Sequence, residues 1–360
     1  MENVNVDRRM ELLNLPILAF ENMYRFLDFV DLINLAECSK RMKTYVKRVE
    51  NSKRNTTTCQ VSIRQTRRMI TIKRQDRDNF SWSSHSPRNY YTANAVDFIE
   101  RKVDGRIWRV SPWRYGWMTL GINDDDLLFW ANYLKEMFNF KITDVELELQ
   151  TNVDFQKLFV DTDIFRTATD KFSIHQTSIH AHEMDFILDN FNAEDMALMA
   201  QPKMTYIYEK PITRFPKITM IMSTWLSLQD LWLMADSCKL INLDLIECGA
   251  EDLNQLLKNW LASDNKTLNY LKFRHPDNVF MEHTTVFDGI ESTPGREKRR
   301  EAAVGYYRSD IRYEDGRDIK RSDGLLATLW TKEDRHSIIR GVHFTVWYDP
   351  NPNKVYANEE

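Results

Sequence analysis

Apolar and polar residues alternate with different periods along the chain, and each period predicts an element. Between Leu12 and Cys38, apolar residues occupy 18 of 27 positions. A surface helix needs only one apolar stripe. Here Leu18, Phe20, Met23, Tyr24, Phe26 and Leu27 spread over more than half of a helical wheel, so one face is left over after another has packed. Pro16 suits a first helical turn, Asp31 suits a helix start, and the run from Asp31 to Val49 ends in cations that favour a helix C-terminus. The pattern predicts a compact helical hairpin or trio over residues 12–48. A unit this small is rarely stable alone, so something is expected to cover it: the chain's own larger domain, or a partner.

From Cys59 to Gln75 the period changes to two, with β-branched residues alternating with polar ones on both sides of a polar break, which predicts a β-hairpin. Residues 76–120 are aromatic and show no assignable period. From Asn123 a texture of helix followed by short strand recurs. Helical stretches are DDDLLFWANYLKEMFN, VDFQKLFVD, HEMDFILDNF, LSLQDLWLMAD and AEDLNQLLKNWLA; strands are ITDVELELQ, FSIHQTSIH, KITMIMS, LINLDLIEC and LNYLKFRH. Strand centres lie 27 residues apart at Leu147–Ile174, 23 at Met220–Leu243 and 28 at Leu243–Leu271. That spacing is near that of leucine-rich repeats, whose units bury their apolar faces by stacking, although no regular consensus is present. The fold class expected is α/β, with an irregular repeat-like domain, a curved sheet and helices on one face. Leu325–Lys332 and Arg340–Asp349 predict a closing hairpin after a charged, loop-rich stretch.

Composition narrows the function. The chain has 360 residues, enough for two or three folding units, and 42% hydrophobic residues, as globular proteins do. A net charge of −4 predicts no general affinity for nucleic acid or anionic membrane. Four scattered cysteines without a CxxC pair predict a reducing compartment. No secretory h-region and no membrane-length apolar run is present, so the expectation is a cytoplasmic or nuclear protein.

Charge is uneven. Residues 40–74 hold 12 Lys and Arg against Glu50 alone, and Arg64, Arg67 and Arg68 are the candidate contacts to nucleic acid or to an acidic target. A solvated helix end followed by an exposed hairpin gives the same pattern. His175, His180, His182 and Glu183 are close in sequence, but a solvated face is the commoner reason for such a group. Asp124–Asp126 suit a helix start better than a metal site. Trp113, Tyr115 and Trp117 read as core before they read as a binding patch. No phosphate loop, dinucleotide fingerprint or nucleophile elbow occurs, so no catalytic residue, no metal and no cofactor is predicted.

Two stretches resemble a known family. Leu15-Pro16, the apolar spacing through Met23, Phe26 and Leu27, Asp31-Leu32, Leu35 and Ser39-Lys40-Arg41 together resemble the F-box, a helical motif that binds the Skp-family adaptor of SCF (cullin-RING) ubiquitin ligases. Ser223–Phe273, with Trp225, Leu228, Leu231, Asp252-Leu253-Asn254, Leu257-Lys258 and Trp260, is similar to the type 2 F-box-associated domain of the large nematode F-box families, as is Asp318–Trp330.

The resemblance implies an all-α F-box at 10–50, a connecting hairpin region at 51–120, a leucine-rich-repeat-like α/β target-binding domain at 121–290 and a charged loop with closing hairpin at 291–360. It implies a non-catalytic substrate-recognition adaptor. Its partners would be a Skp-family adaptor, through that a cullin, and a target protein. The implied adaptor contacts are Leu15, Pro16, Ile17, Phe20, Met23, Leu32 and Leu35. The alternative is a solenoid interaction protein that binds nucleic acid or an acidic partner through the basic tract.

Overall fold

In the computed structural model, the residues described are 17–24, 26–52, 57–74, 77–85, 98–113, 116–121, 123–148, 154–176, 178–202, 206–275, 281–295, 316–333 and 339–348. The chain is mixed α/β and divides into two compact units, Met1–Thr169 and Asp170–Glu360.

The first unit opens with α1 (Ile17–Tyr24), α2 (Phe29–Cys38) and α3 (Lys40–Ser52). Asp28 caps α2, its carboxylate accepting from Asp31 N at 2.8 Å, and Ser39 Oγ accepts from Met42 N at 3.1 Å at the head of α3. The buried face of α2 is Phe29, Leu32, Ile33 and Ala36, the i, i+3, i+4, i+7 set of an amphipathic helix.

Strands β1 (Thr57–Arg64), β2 (Arg67–Arg74), β3 (Arg77–His85), β4 (Ile99–Val103), β5 (Arg106–Trp113), β6 (Gly116–Leu120) and β7 (Lys141–Leu147) follow, with α4 (Asp124–Phe138) before β7. Their order across the sheet is β7-β1-β2-β3-β6-β5-β4. β1 and β2 form the expected hairpin, in register from Thr57↔Arg74 to Arg64↔Arg67. The segment 76–120, opaque in sequence, supplies β3 to β6. In β3, residues Phe80 to Ser84 are all buried, so exposure does not alternate there; side-chain size does, with Phe80 and Trp82 on the helix side and Ser81 and Ser83 on the other.

Helix α4 is capped by Asn123, whose side chain accepts from Asp125 N at 2.9 Å. It packs on α3 and β2. Trp130 is its centre, with ring centroids 5.9 Å from Trp82, 5.3 Å from Trp108 and 5.7 Å from Trp117. Trp117 is therefore core, whereas Trp113 has only its backbone described and Tyr115 lies outside the described residues. Gly116 is the point of closest strand approach, because a Cβ there would stand 1.8 Å from Ser81 O. The stretch read as a helix at 153–161 makes a single π-helical turn, Gln156–Val160.

The second unit contains β8 (Lys171–His175), α5 (Ala181–Asn190), β9 (Asp195–Met199), β10 (Lys217–Met220), α6 (Leu228–Ser237), β11 (Leu240–Asp244), α7 (Ala250–Ala262) and β12 (Tyr270–Arg274). A short α8 (His283–Val286) and β13 (Ser292–Pro294), β14 (Arg317–Lys320), β15 (Leu326–Glu333) and β16 (Ile339–Trp347) complete it. Strands β8 to β12 are parallel and adjacent in chain order, and β16, β15, β14 and β13 continue the sheet antiparallel from β12. Strand β9, which the sequence pattern did not announce, fills the gap between β8 and β10. Met220 pairs with Leu243 as the spacing implied; Leu243 pairs with Phe273, and Leu271 with Ile241, so that repeat is two residues longer than read.

Ile218, Met220, Ile241, Leu243, Leu271 and Phe273 form the buried face of this sheet. The caps of its helices are reciprocal: Ser227 N donates to Asp230 Oδ2 at 2.8 Å while Ser227 Oγ accepts from Asp230 N at 3.2 Å. The closing hairpin is β15 with β16; the turn expected between them lies outside the described residues, as does the charged stretch 296–315.

Candidate functional site

The N-terminal helices are covered by the chain itself on one side. Phe29 of α2 meets Phe138 of α4 edge to face at 5.1 Å. Glu37 accepts from Tyr133 Oη at 2.5 Å and from Asp104 N at 3.0 Å, and burial together with Glu37 pushes the Tyr133 phenol far up. Beneath the helices, Arg74 of β2 forms a buried ion pair with Glu50 of α3 and donates to Tyr24 Oη of α1 at 3.4 Å and Thr57 Oγ1 at 3.4 Å. One guanidinium thus joins two helices to two strands.

This docking sorts the expected adaptor contacts. Leu32 is fully buried in the helical core, while Met23 and Leu35 are half-buried. Leu15 and Pro16 lie outside the described residues, and so do the side chains of Ile17 and Phe20, whose backbone belongs to α1. Phe26, at the turn between α1 and α2, is 88% exposed. In the sequence it belongs to the apolar run and to the F-box resemblance but not to the expected adaptor contacts; its place just before the Asp28 cap, in the turn rather than in a helix, was the available signal.

The basic tract does not form one exposed surface. Alternation along β2 turns Arg68 and Arg74 toward the helices and Arg67 away from them. Arg68 is 0% exposed, and its Nε donates to Asp124 Oδ1 at 2.9 Å. Asp124 Oδ2 also accepts from Asp154 N at 3.0 Å, so the carboxylate at the head of α4 serves as an internal anchor. Arg64 stays exposed, paired with Glu146 at 3.0 Å. Lys43 pairs with Asp104 at 2.8 Å, and Lys47 with Glu136. Arg67 is half-buried. Five of the twelve cations, Lys43, Lys47, Arg64, Arg68 and Arg74, are thus met by carboxylates of the same unit.

The remaining chemical candidates resolve into structure. His180 and His182 stack at 5.6 Å at the start of α5, and Glu183 accepts from His180 N at 3.0 Å as a helix cap. Among the described residues, no group of His, Cys, Asp or Glu is placed to hold a metal ion. Burial pushes the thiols of Cys238 and Cys248 up to about 11 and about 12, and that of Cys59 further, so these are inert core groups. No helix among the described residues is long and apolar enough to cross a membrane.

In the second unit, residues of α6 and α7 line a cleft of about 390 Å3. Trp232 of α6 and Trp260 of α7 line it, with Leu268, Leu271 and Phe344 beneath. Asn265 shapes one end: its Nδ2 donates to Ala235 O at 2.8 Å while its Oδ1 accepts from Thr267 N at 2.7 Å. On the sheet face away from these helices stand Thr219, Asn242 and Lys272 in one row, with the exposed Asp244–Arg274 pair at 2.6 Å beside it.

The loop before β10 is clasped to α5 by Tyr206 Oη to Asp185 Oδ1 and Tyr208 Oη to Asp189 Oδ1, both 2.8 Å. Lys210 and Tyr208 together hold the Asp189 carboxyl below its usual range.

These elements, from that loop through β12, coincide with a known sequence family. Residues 207–273 match the model of a family described as F-box associated. The segment Ser223–Phe273, singled out by resemblance, falls inside that match. No curated protein and no solved structure matches the chain.

Proposed function

We propose that this chain is the substrate-recognition subunit of an SCF-type (cullin-RING) ubiquitin ligase and has no catalytic activity of its own. Residues 10–50 act as an F-box that joins a Skp-family adaptor and, through it, a cullin. The second unit, a leucine-rich-repeat-like stack of the kind carried by nematode F-box proteins, captures the target protein in the cytoplasm or nucleus. Ubiquitin transfer then rests on proximity, since holding target lysines near the charged conjugating enzyme raises their effective concentration.

The observation that carries this reading is the F-box-associated match at 207–273, downstream of an N-terminal helical segment whose residue order resembles an F-box. Phe26 supports it: after the inner faces of α1 to α3 have docked, this ring still lies in solvent. An exposed aromatic whose backbone N donates to Met23 O at 3.0 Å, next to that half-buried side chain, is a suitable anchor for a protein partner.

The test is co-expression with a Skp-family adaptor, comparing the natural chain with Phe26→Asp. Co-purification of the natural chain, and an at least tenfold loss of adaptor with Phe26→Asp, is expected, since truncating a central anchor costs about 2 kcal/mol. Deleting residues 1–50 is a poorer experiment, because it removes Glu50 and leaves Arg74 buried without its carboxylate. A folded, soluble natural chain that never associates with the adaptor ends the proposal.

A further inference from the structure

Strand β4 ends the strand order of the first unit, and its outer side has backbone groups to spare. The hairpin it makes with β5 turns on Asp104 and Gly105, with φ of 48° and 83°, the tight two-residue turn whose flanking residues exchange both backbone hydrogen bonds. Val103↔Arg106 is therefore a bonded pair, and antiparallel alternation makes Arg101↔Trp108 and Ile99↔Val110 bonded pairs as well. Glu100 and Lys102 fall between them, so the N–H and C=O of both point off the sheet. None of these four groups meets a partner among the described residues. Glu100, Arg101 and Lys102 are all exposed, so the strand is open on both of its faces.

A terminal strand normally carries a device against stray pairing: shortness, proline, a bulge or charge. In the second unit, β13 has three residues and ends in Pro294. Strand β4 has five residues, no proline and an unbroken register, which leaves charge as its device. That charge is unbalanced. Glu100 stands directly opposite Arg109, whereas Arg101 and Lys102 stand opposite Trp108 and Ile107. The carboxylate of the turn, Asp104, is taken by Lys43 at 2.8 Å. Arg106 lies 4.6 Å over Phe129 and offsets the charge of Asp126, and Arg109 lies 5.9 Å over Phe98. The uncommitted charge at this edge is thus the two cations Arg101 and Lys102, which repel a basic strand and attract an acidic one.

We propose that β4 is an acceptor edge for an extended acidic segment of a partner protein, which adds to the sheet as a further strand. Its backbone exchanges hydrogen bonds with Glu100 and Lys102. Two adjacent carboxylates, turned to opposite faces as neighbours in a strand are, pair with Arg101 and Lys102. The inference goes beyond the adaptor reading and does not rest on it. Its test contains no adaptor, so either can fail while the other stands.

The experiment follows amide hydrogen exchange in the nitrogen-15-labelled full chain by NMR. Three probes are titrated: acetyl-Thr-Val-Glu-Glu-Val-Thr-amide, the same peptide with Lys-Lys in place of Glu-Glu, and the acidic peptide N-methylated along its backbone, which keeps both carboxylates and loses its backbone donors. The acidic probe is expected to slow exchange at Glu100 and Lys102 saturably, and to leave Arg101 and Val103, already bonded to β5, as they were. The lysine probe is expected to bind about tenfold more weakly or worse, the worth of two exposed ion pairs. The N-methylated probe is expected to protect neither amide. Arg101→Glu combined with Lys102→Glu changes two exposed side chains and is expected to transfer the preference to the lysine probe. Absent protection by the acidic probe, equal protection by the lysine or N-methylated probe, or a preference for the acidic probe that survives the double reversal would each overturn the proposal. The probe comparison is made on the natural chain and decides the matter even where the double variant does not fold.

Discussion

Arg67 and Arg68 are neighbours in sequence and opposites in environment, and replacing each with alanine should separate charge as surface from charge as structure. Arg68 is 0% exposed and its ion pair with Asp124 spans 2.9 Å, which at an effective dielectric of 20 corresponds to roughly 6 kcal/mol of attraction before desolvation is subtracted. Removing the arginine leaves the Asp124 carboxylate buried against β2 without its counter-charge, a situation that costs about 3–5 kcal/mol. Spread over the 169 residues of the first unit, a loss near 4 kcal/mol lowers its melting temperature by roughly 11 °C.

Arg67 points away from the helices, and its alanine variant should stay within about 0.5 kcal/mol of the natural chain. The assay is urea unfolding followed by tryptophan fluorescence, which reports on the Trp82, Trp117 and Trp130 cluster of that unit. Arg68→Leu with Asp124→Leu provides the control: removing both charges should recover most of the stability lost in either single variant. Equal midpoints for Arg67→Ala and Arg68→Ala would refute the assignment of the buried pair.

The other predictions concern backbone geometry and pH. Gly116→Val should break the β3–β6 pairing, because the new Cβ would fall 1.8 Å from Ser81 O; the expected result is a loss on the order of 3 kcal/mol or failure to fold, read by circular dichroism and urea midpoint. His275 is buried, and burial pushes its pKa from 6.5 to about 4, so the fold binds it neutral while the unfolded chain protonates near 6.5. The stability it contributes is complete above pH 6.5 and is lost as pH falls toward about 4, by roughly 3 kcal/mol in all; His275→Phe should flatten that part of the pH profile, and an unchanged slope would count against it.

Much of this architecture was legible because residue types alternate cleanly along the strands. The hairpin of β1 and β2 and the strand–helix units from β10 to β12 keep one apolar and one polar face, and their periods survive in the sequence. Strand β3 was harder to read because its alternation, Phe80-Ser81-Trp82-Ser83, is short and contains no β-branched residue. The family segment was legible through ordered residues such as Trp225, Leu231 and Trp260, which a single amphipathic pattern would not distinguish.

The sites were harder to read. Nothing in RRM, Arg67-Arg68-Met69, announces which arginine turns inward, since that depends on strand register against α4, and the partner Asp124 lies 56 positions away. The cleft likewise is lined by residues of α6 and α7 that stand apart in the sequence. Density of apolar residues correctly pointed to a cover for the N-terminal helices, and the structure supplies part of that cover from the chain's own α4 and β2.

The packing of α4 on α2 has a consequence for synthesis. Helices α1 to α3 emerge from the ribosome before α4: the Phe138 that packs on α2 is made about 90 residues after Ser52, and β7, the strand that pairs beside β1, later still. At ordinary translation speeds of about 5–20 residues per second, that leaves a delay of roughly 5–20 s in which Phe29, Leu32 and Ile33 have no intramolecular cover from α4. The newborn chain therefore exposes this apolar face until α4 has been made. A variant that weakens this packing would betray itself first in the yield of soluble protein and only afterwards in the melting temperature of what survives.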